Sequence, residues 1–583
     1  MRARPADAAA VAAALLICGP VFGPGTVIAY DMAWSPRPQW TPFVLGTGIP
    51  APRAVPSDAA AVLLGRLLTA GAAQALILTA ILVLAGAGAA RLVTTVTPAV
   101  GSAGRVVAAI VAIWNPFVAE RLAIGHWTVL LGYAVLPWLV RAAGSVRAGG
   151  SVSALLAWLA LSALGGANAL VLTAPVALVI VLWPRARRRA AGLVVLAAAG
   201  LSACWALPAI GADVTGARGG AAAFGARADT AYGLLASLLT GGGFWNAASH
   251  LAARGAGAAT AGLTLLTLVA LGAGLPPLAR HLRPLVAAAA AGFVLVLVSG
   301  TARLAGPWDG ALAAVPGGAI LRDSHKLLAA WVLVLALAAG VAVDRLQRWP
   351  RLAGVRPVPA VAAALLPLAL TPTLAWGLAG RLTPVHTPAD LLATTRTLSQ
   401  QPPGLVAVLP WNQYRRYPWN GDRISLTLAP RLTGQQVLVN DALPTHAGWI
   451  AGEDPRAAAV TADLAAGMDP VAALRRQGVR YLLVEADAAA AAAPGADDDP
   501  DTAGPAAKRP LIPASLAAQA PLAQGPNAVA YDLGPGPDDG RRPATVAGRA
   551  GWAIFVTSWA AIMLFRVLSA VARGRRSELV GVP

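Results

Sequence analysis

Long apolar segments constrain this sequence more than any other feature. About twelve recur along the 583 residues, most of them close to the roughly 20 residues with which an α-helix crosses a bilayer. Hydrophobic residues make up 57% of the chain and charged residues only 12%, which excludes an ordinary soluble protein. The sequence therefore predicts an all-α polytopic membrane protein. The predicted spans are roughly 8–23, 72–90, 106–118, 127–140, 152–164, 169–183, 190–210, 261–275, 285–299, 327–343, 358–376 and 550–572.

The net charge of +19 would suit a nucleic-acid partner, but the arginines occur in short clusters between apolar segments. This is the pattern of topology signals, so no nucleic acid is expected as a partner. With a cytoplasmic N-terminus, twelve spans place every basic cluster inside, which predicts a bacterial inner-membrane protein with both termini cytoplasmic. The clusters lie at 91–105, 141–147, 185–189, 280–283, 345–356 and 573–576.

Two stretches, 105–141 and 151–185, are short for two passes each. We interpret both as hairpins, with turns at Asn115-Pro116 and at 165–168, because arginines flank both ends of each stretch. Two long single helices would put the arginines at 141–147 outside. The first apolar segment also has an alternative interpretation, a cleaved signal peptide.

The predicted domains are a transmembrane domain (1–378), an extracytoplasmic α/β domain (379–547), and a final span with a cytoplasmic tail (548–583). Outer loops are expected at 24–66 and 211–260. Strand-like patterns and one helical stretch define the small domain, and an Asp-, Ala- and Pro-rich insert near 488–510 is expected to be disordered. The strands are predicted at 405–409, 436–439, 479–485 and 528–533, and the helix at 469–477.

Asp31 follows the first span and lies beside aromatic residues, close to the expected bilayer surface. An acid at this depth indicates either a functional carboxylate or an interface-anchoring helix cap. A second outer turn contains Glu120, Arg121 and His126 within seven residues, which is costly at membrane depth without a partner. The alternative there is a structural Glu–Arg pair that fixes the turn.

Arg322, Asp323, His325 and Lys326 precede the tenth predicted span. Their cations would suit a lipid-linked phosphate, since Arg clamps phosphate oxygens and Lys supplies a mobile charge. Anchoring to anionic lipid is the alternative. Trp245 and Asn246 lie in an aromatic- and amide-bearing loop typical of sugar contacts, although Trp also anchors helices at the interface.

The segment 410–420 is rich in rings and amides, so it either binds glycan or packs the small domain onto the membrane. Metal-ligand spacing, a nucleophile elbow and a phosphate-binding loop motif do not occur in the sequence. Both cysteines lie in apolar segments and indicate no thiol chemistry.

The sequence resembles the GT-C superfamily of membrane glycosyltransferases at five places in order: Asp31, the stretch from Asn115 to Trp127, the residues 205–208 before a long expected outer loop, the residues 243–246 and the residues 322–326. The likeness is to the arabinofuranosyl- and mannosyltransferase-like proteins of actinobacterial envelope assembly. It implies a polyprenyl-phosphate-linked sugar donor and an envelope glycan or glycolipid acceptor.

The resemblance also implies residue roles. Asp31 would be the general base and Glu120 would orient the acceptor, while Arg322, His325 and Lys326 would stabilise the departing phosphate. Arg121, His126, Asp323, Trp245 and Asn246 would contribute to substrate binding.

Many members carry an acidic pair in the first loop, whereas this chain has one Asp there. This difference weakens the case for metal dependence, so no cofactor is assigned and a divalent cation stays only a possible one. Two other functions compete with an enzyme: a non-catalytic relative that binds or scaffolds lipid-linked intermediates, and a transporter or flippase. A transporter should carry ionisable residues near the middle of several spans, and these segments have almost none.

Overall fold

The fold is described from a computed structural model. It describes residues 5–48, 52–98, 100–183, 187–211, 220–315, 317–351, 357–445, 448–487, 509–535 and 546–580. Nearly all of the predicted disordered insert, and the arginines at positions 2, 4, 185 and 356, lie outside these ranges.

Helices dominate the described chain, and most are apolar along their whole length. Their bounds are α1 Pro5–Cys18, α2 Ser57–Leu67, α3 Ala70–Leu92, α4 Ser102–Ile113, α5 Pro116–Ala123, α6 Trp127–Arg147, α7 Ser153–Ala163, α8 Gly166–Leu182, α9 Arg188–Gly211, α10 Gly220–Ala223, α11 Gly233–Leu239, α12 Gly257–His281, α13 Arg283–Gly300, α14 Ala302–Ala314, α15 Ala329–Gln347, α16 Pro357–Leu370, α17 Ala375–Ala379, α18 Ala389–Gln400, α19 Ala429–Leu432, α20 Pro455–Ala465, α21 Pro470–Arg476 and α22 Val546–Val580.

Within the described residues, nine helices are long and apolar enough to cross a membrane, so the chain is a multi-pass membrane protein. The count becomes ten if α16 and the segment Pro372–Ala379, bent by 72° relative to it, form one span. The predicted count of about twelve is not confirmed. The predicted spans 152–164 and 169–183 correspond to the shorter helices α7 and α8. The 11 residues of α7 extend only about 16 Å, whereas the hydrocarbon core of a bilayer is about 30 Å thick.

The stretch 151–185 forms two helices, α7 and α8, as predicted, whereas the stretch 105–141 is divided among α4, α5 and α6 and its predicted turn was misplaced. Asn115 and Pro116 only interrupt a span that runs from Ser102 to Ala123. Asn115 caps α5 by accepting a hydrogen bond from the Val118 amide, and Pro116 occupies the first helical turn, where a missing N–H costs nothing. The chain turns at 124–126 instead.

The C-terminal region contains a five-stranded sheet in the order β10-β11-β9-β3-β6. Strand β3 pairs in parallel with β6 and β9, and β11 pairs antiparallel with β9 and β10. All five residues of β3 are buried, as expected for a central strand covered on both faces. The strands are β1 Ile28–Ala29, β2 Met32–Ala33, β3 Leu405–Leu409, β4 Tyr414–Arg416, β5 Ile424–Leu426, β6 Gln436–Leu438, β7 Leu443–Thr445, β8 Gly448–Ile450, β9 Val479–Glu485, β10 Ala523–Gln524 and β11 Ala528–Asp532.

The four predicted strands are therefore present as β3, β6, β9 and β11. The predicted helix is α21, and Asp469 caps it by accepting hydrogen bonds from two backbone amides.

The loop between α1 and α2 is joined directly to this C-terminal region. Tyr30 lies between the two short strands β1 and β2 and pairs with Ser425 of β5. The Tyr30 amide donates to the Ile424 carbonyl at 2.6 Å, and the Leu426 amide donates to the Tyr30 carbonyl at 2.9 Å. The loop that carries Asp31 is thus held by backbone hydrogen bonds to residues almost 400 positions later in the chain.

Candidate active site

Asp31 occupies the turn between β1 and β2, where Tyr30 adopts a positive φ of 45°. Its carboxylate accepts hydrogen bonds from His126 Nε2 at 2.9 Å and from the Tyr414 hydroxyl at 2.7 Å. Its side chain is 37% exposed. Burial alone would raise the pKa of Asp31, but the two hydrogen bonds and nearby positive charge lower the pKa below its ordinary value. Asp31 is therefore an ionised, partly accessible carboxylate.

A close backbone approach brings His126 to Asp31. Gly125 has φ 82°, and a Cβ there would lie 2.4 Å from the Met32 amide nitrogen, so only glycine lets the first loop sit against this turn. The Asp31 amide donates to the Ile124 carbonyl at 3.2 Å, which fixes the contact.

Arg121 connects His126 to the loop before α15. Its side chain is 0% exposed, and its two terminal nitrogens form a fork on the Asp323 carboxylate. Nη1 also donates to His126 Nδ1 at 2.8 Å. Because a guanidinium can only donate, His126 Nδ1 must accept, which leaves the proton on Nε2 for the bond to Asp31. Burial opposes ionisation of Asp323, but Arg121 holds the pKa of Asp323 well below its ordinary value.

His325 extends the network inward. It accepts from Arg121 Nη2 at 3.1 Å through Nδ1 and donates from Nε2 to the Gly242 carbonyl, also at 3.1 Å. Its Nε2 lies 3.8 Å from Glu120 Oε2. Both carboxylate oxygens of Glu120 are buried and have no hydrogen-bond partner among the residues described. Glu120 thus lies beside His325, at the end of the network away from Asp31.

A second buried ion pair lies beside Glu120. Arg254 Nη2 donates to Asp229 Oδ1 at 2.8 Å and to Thr240 Oγ1 at 2.9 Å, and its Nε also contacts Asp229. Burial would raise the pKa of Asp229, but Arg254 lowers this pKa to about 2. A Cβ on Gly242 would meet this ion pair at 2.4 Å, so the pair packs directly under the backbone that His325 contacts.

Aromatic rings enclose the charged network. Arg121 lies 4.5 Å from the centre of the Phe244 ring and 5.6 Å from that of Phe117. Phe244 also contacts the rings of His126 and His325, at 6.0 and 5.3 Å between centroids. These rings exclude water on one side of the guanidinium and so strengthen its hydrogen bonds.

The other candidate residues lie at the margin of this network. Arg322 stacks on Phe224 at 4.8 Å, and Phe224 contacts Trp245 at 4.7 Å. Burial and the charge of Arg53 lower the pKa of Arg322. Lys326 is buried and donates to Asn168 Oδ1 at 2.8 Å. Asn246 directly follows Trp245 and precedes a short 3-10 helix.

The structure therefore joins Asp31, Arg121, His126, Asp323 and His325 into one chain of hydrogen bonds, with Glu120 next to its inner end. Four residues escaped the sequence analysis as site members: Tyr414, Asp229, Phe244 and Arg254. Tyr414 and Phe244 lie in segments already marked by their rings and amides, whereas no such pattern marks Asp229 or Arg254. Within the described ranges, no group of three or more His, Cys, Asp or Glu side chains is arranged to hold a metal ion.

Comparison with solved structures identifies the fold. The cryo-EM structure of the arabinofuranosyltransferase AftD from Mycobacteria matches 92% of this chain with a TM-score of 0.58 and 20% identity, and the match covers 40% of that protein. The chain therefore shares the fold of this arabinofuranosyltransferase. A mutant AftD structure, R1389S class 2, matches 83% of the chain with a TM-score of 0.50 and 21% identity, covering 37% of that protein.

The resemblance drawn from the residues around Asp31, Glu120 and Arg322 predicted a membrane glycosyltransferase fold, and this fold is confirmed. This chain spans about two fifths of the length of the AftD chains that it matches. No family model and no curated protein matches the sequence.

Proposed function

We propose that this chain is a membrane glycosyltransferase that transfers a sugar from a polyprenyl-phosphate donor to an envelope glycan or glycolipid on the extracytoplasmic side. One observation supports it above all. The partly exposed carboxylate of Asp31 is oriented by His126 and Tyr414 and is connected through Arg121 to the loop that carries Arg322.

Asp31 would act as the general base. The acceptor oxygen forms a bond to the anomeric carbon while the bond from that carbon to the phosphate oxygen breaks, and the acceptor proton passes to Asp31. The phosphate leaves with the bonding electron pair. The lowered pKa of Asp31 keeps it in the proton-accepting form at neutral pH. The donors His126 and Tyr414 hold its two oxygens in place, one each.

The leaving phosphate gains negative charge, so a nearby cation would stabilise the transition state. Among the three proposed cations, Arg322 is partly exposed, whereas His325 and Lys326 are buried and bonded to neighbours. We therefore assign direct phosphate contact to Arg322, and a positioning role to His325 and Lys326. Trp245 and Asn246 are assigned to the sugar.

Glu120 would also act as a positioning residue, because its carboxylate is fully buried beside His325. The proposal leaves a divalent cation open, since substrate phosphate oxygens can complete a site that few protein ligands begin.

The decisive experiment replaces Asp31 with Asn and measures sugar transfer in membranes supplied with a lipid-linked donor. The expected loss is about 10²–10⁴-fold, the range of general-base catalysis. Asp422→Asn is the matched control: Asp422 lies in the exposed turn between β4 and β5, on the same side of the molecule, and should retain full activity.

Undiminished transfer by Asp31→Asn would eliminate Asp31 as the base. A wild-type chain that binds lipid-linked sugar without transferring it would instead be the non-catalytic scaffold, and one that moves it across a vesicle membrane would be a flippase. Reporter fusions at residues 124 and 323 test the extracytoplasmic orientation, and a cytoplasmic readout at either position would contradict it.

A further inference from the structure

A cavity of about 190 Å³ lies at the end of the helix bundle opposite to the candidate active site. It opens where α1 and α4 begin and where α3 ends, beside α6. The span that starts next to it at Ser102 reaches Glu120 and Arg121 at its far end, roughly 30 Å away for a 22-residue helix. The polar residues that line the cavity are Asp7, Arg91, Thr94, Ser102, Arg105 and Arg141.

Positive charge in this cavity is only partly compensated. Arg91 forms a two-pronged ion pair with Asp7, at 2.6 and 3.0 Å, and stacks on Trp138 at 5.2 Å. That pair uses the single carboxylate of the lining. Arg105 and Arg141 therefore contribute two positive charges without an acidic partner in the lining.

Of these two arginines, Arg105 gives the stronger indication that the cavity binds an anion. Its Nε atom is buried and has no hydrogen-bond partner among the residues that the structure describes. A buried guanidinium N–H without an acceptor is costly, and an anion in the cavity would satisfy it. The side-chain hydroxyl of Ser102 adds a further donor, and α4 begins here with no side-chain cap on its free amides.

We propose that this cavity binds the phosphate group of an anionic phospholipid. Arginine matches phosphate oxygens in geometry and charge, and the cavity lies at the ends of membrane-spanning helices, where lipid head groups are found. Its volume equals about six water molecules at roughly 30 Å³ each, which is room for a phosphate group with its first waters. Free inorganic phosphate has the same chemistry and is the other source of such a group.

The test is lipid binding by the full chain in detergent, measured by native mass spectrometry with phosphatidylglycerol and with zwitterionic phosphatidylcholine. The double variant Arg105→Gln, Arg141→Gln should bind phosphatidylglycerol about tenfold or more weakly, because it loses two charge-assisted contacts. Arg147→Gln is the matched control: Arg147 ends the same helix as Arg141 but does not line the cavity, and its loss should change nothing.

A second arm separates the two sources. Inorganic phosphate is added at matched ionic strength to the wild-type chain and to the double variant. If it displaces phosphatidylglycerol only from the wild-type chain, the cavity recognises the phosphate group of the lipid. Arg141→Gln alone is the fallback if the double variant misfolds, since Arg141 is exposed and its replacement leaves packing intact. Equal binding of both lipids, or equal binding by the variants and the Arg147→Gln control, would overturn the proposal. Sugar transfer is not the readout, so this result is independent of the proposed activity.

Discussion

Replacing Arg121 with Gln tests whether one guanidinium holds the candidate site together. Arg121 is fully buried and donates to the Asp323 carboxylate and to the Nδ1 atoms of His126 and His325. Glutamine removes the charge and cannot supply four contacts. Breaking a buried ion pair by removing one partner typically costs 3–5 kcal/mol, so we expect the free energy of unfolding to fall by about that amount.

Arg91→Gln is the matched comparison. Arg91 also forms a two-pronged pair with a carboxylate and stacks on an aromatic ring, but its side chain is 30% exposed and that of Asp7 is 29% exposed. Exposed pairs contribute about 0–1 kcal/mol, so this variant should lose little stability.

Both variants are measured by SDS titration in mixed micelles, with circular dichroism as the unfolding signal. The reasoning fails if Arg121→Gln and Arg91→Gln cost the same within about 1 kcal/mol, since burial and not the presence of an ion pair is what should set the difference. Loss of sugar transfer in Arg121→Gln alone, with the protein still folded, would additionally show that the network orients Asp31.

Three further changes have defined outcomes. Tyr414→Phe removes a hydrogen bond that lowers the pKa of Asp31, so that pKa rises and the acid limb of the pH–rate profile should move to higher pH; an unmoved limb contradicts the assignment. Glu120→Gln should leave stability unchanged or improved, because neither carboxylate oxygen has a hydrogen-bond partner among the described residues and the contact to His325 is long at 3.8 Å, while lowering kcat about 10-fold or more with little change in KM; a rise in KM alone would instead indicate ground-state binding. Gly242→Ala should cost about 1–3 kcal/mol, because its Cβ would press on the buried Asp–Arg pair, whereas Gly255→Ala meets nothing within 4 Å and should be nearly neutral in the same SDS titration.

Charge and apolar length predicted the membrane character well, and the count of spans less well. The apolar segments 152–164 and 169–183 did not specify whether a helix crosses the bilayer fully, since they form helices of only 11 and 17 residues. The strands β3 and β9 were predicted at their observed ends, because short apolar segments bounded by Pro and Gly specify strands locally.

The candidate site was predictable only in its local parts. Glu120, Arg121 and His126 are close in sequence and stood out as charges in an apolar setting. Tyr414 lies 383 positions from Asp31, and its segment allowed two interpretations. The hydrogen bond from Tyr414 to Asp31 shows that this segment packs against the first loop, a fact that depends on tertiary structure and not on any local pattern.

The β-bridge between Tyr30 and Ser425 means that neither half of the molecule alone positions the carboxylate of Asp31. A truncated protein that keeps every helix up to α17 would still insert into membranes, yet its first loop would lose both the strand that aligns it and the phenol that orients Asp31. The helices and the C-terminal region therefore form one functional unit, and separating them would leave Asp31 without the residues that position it.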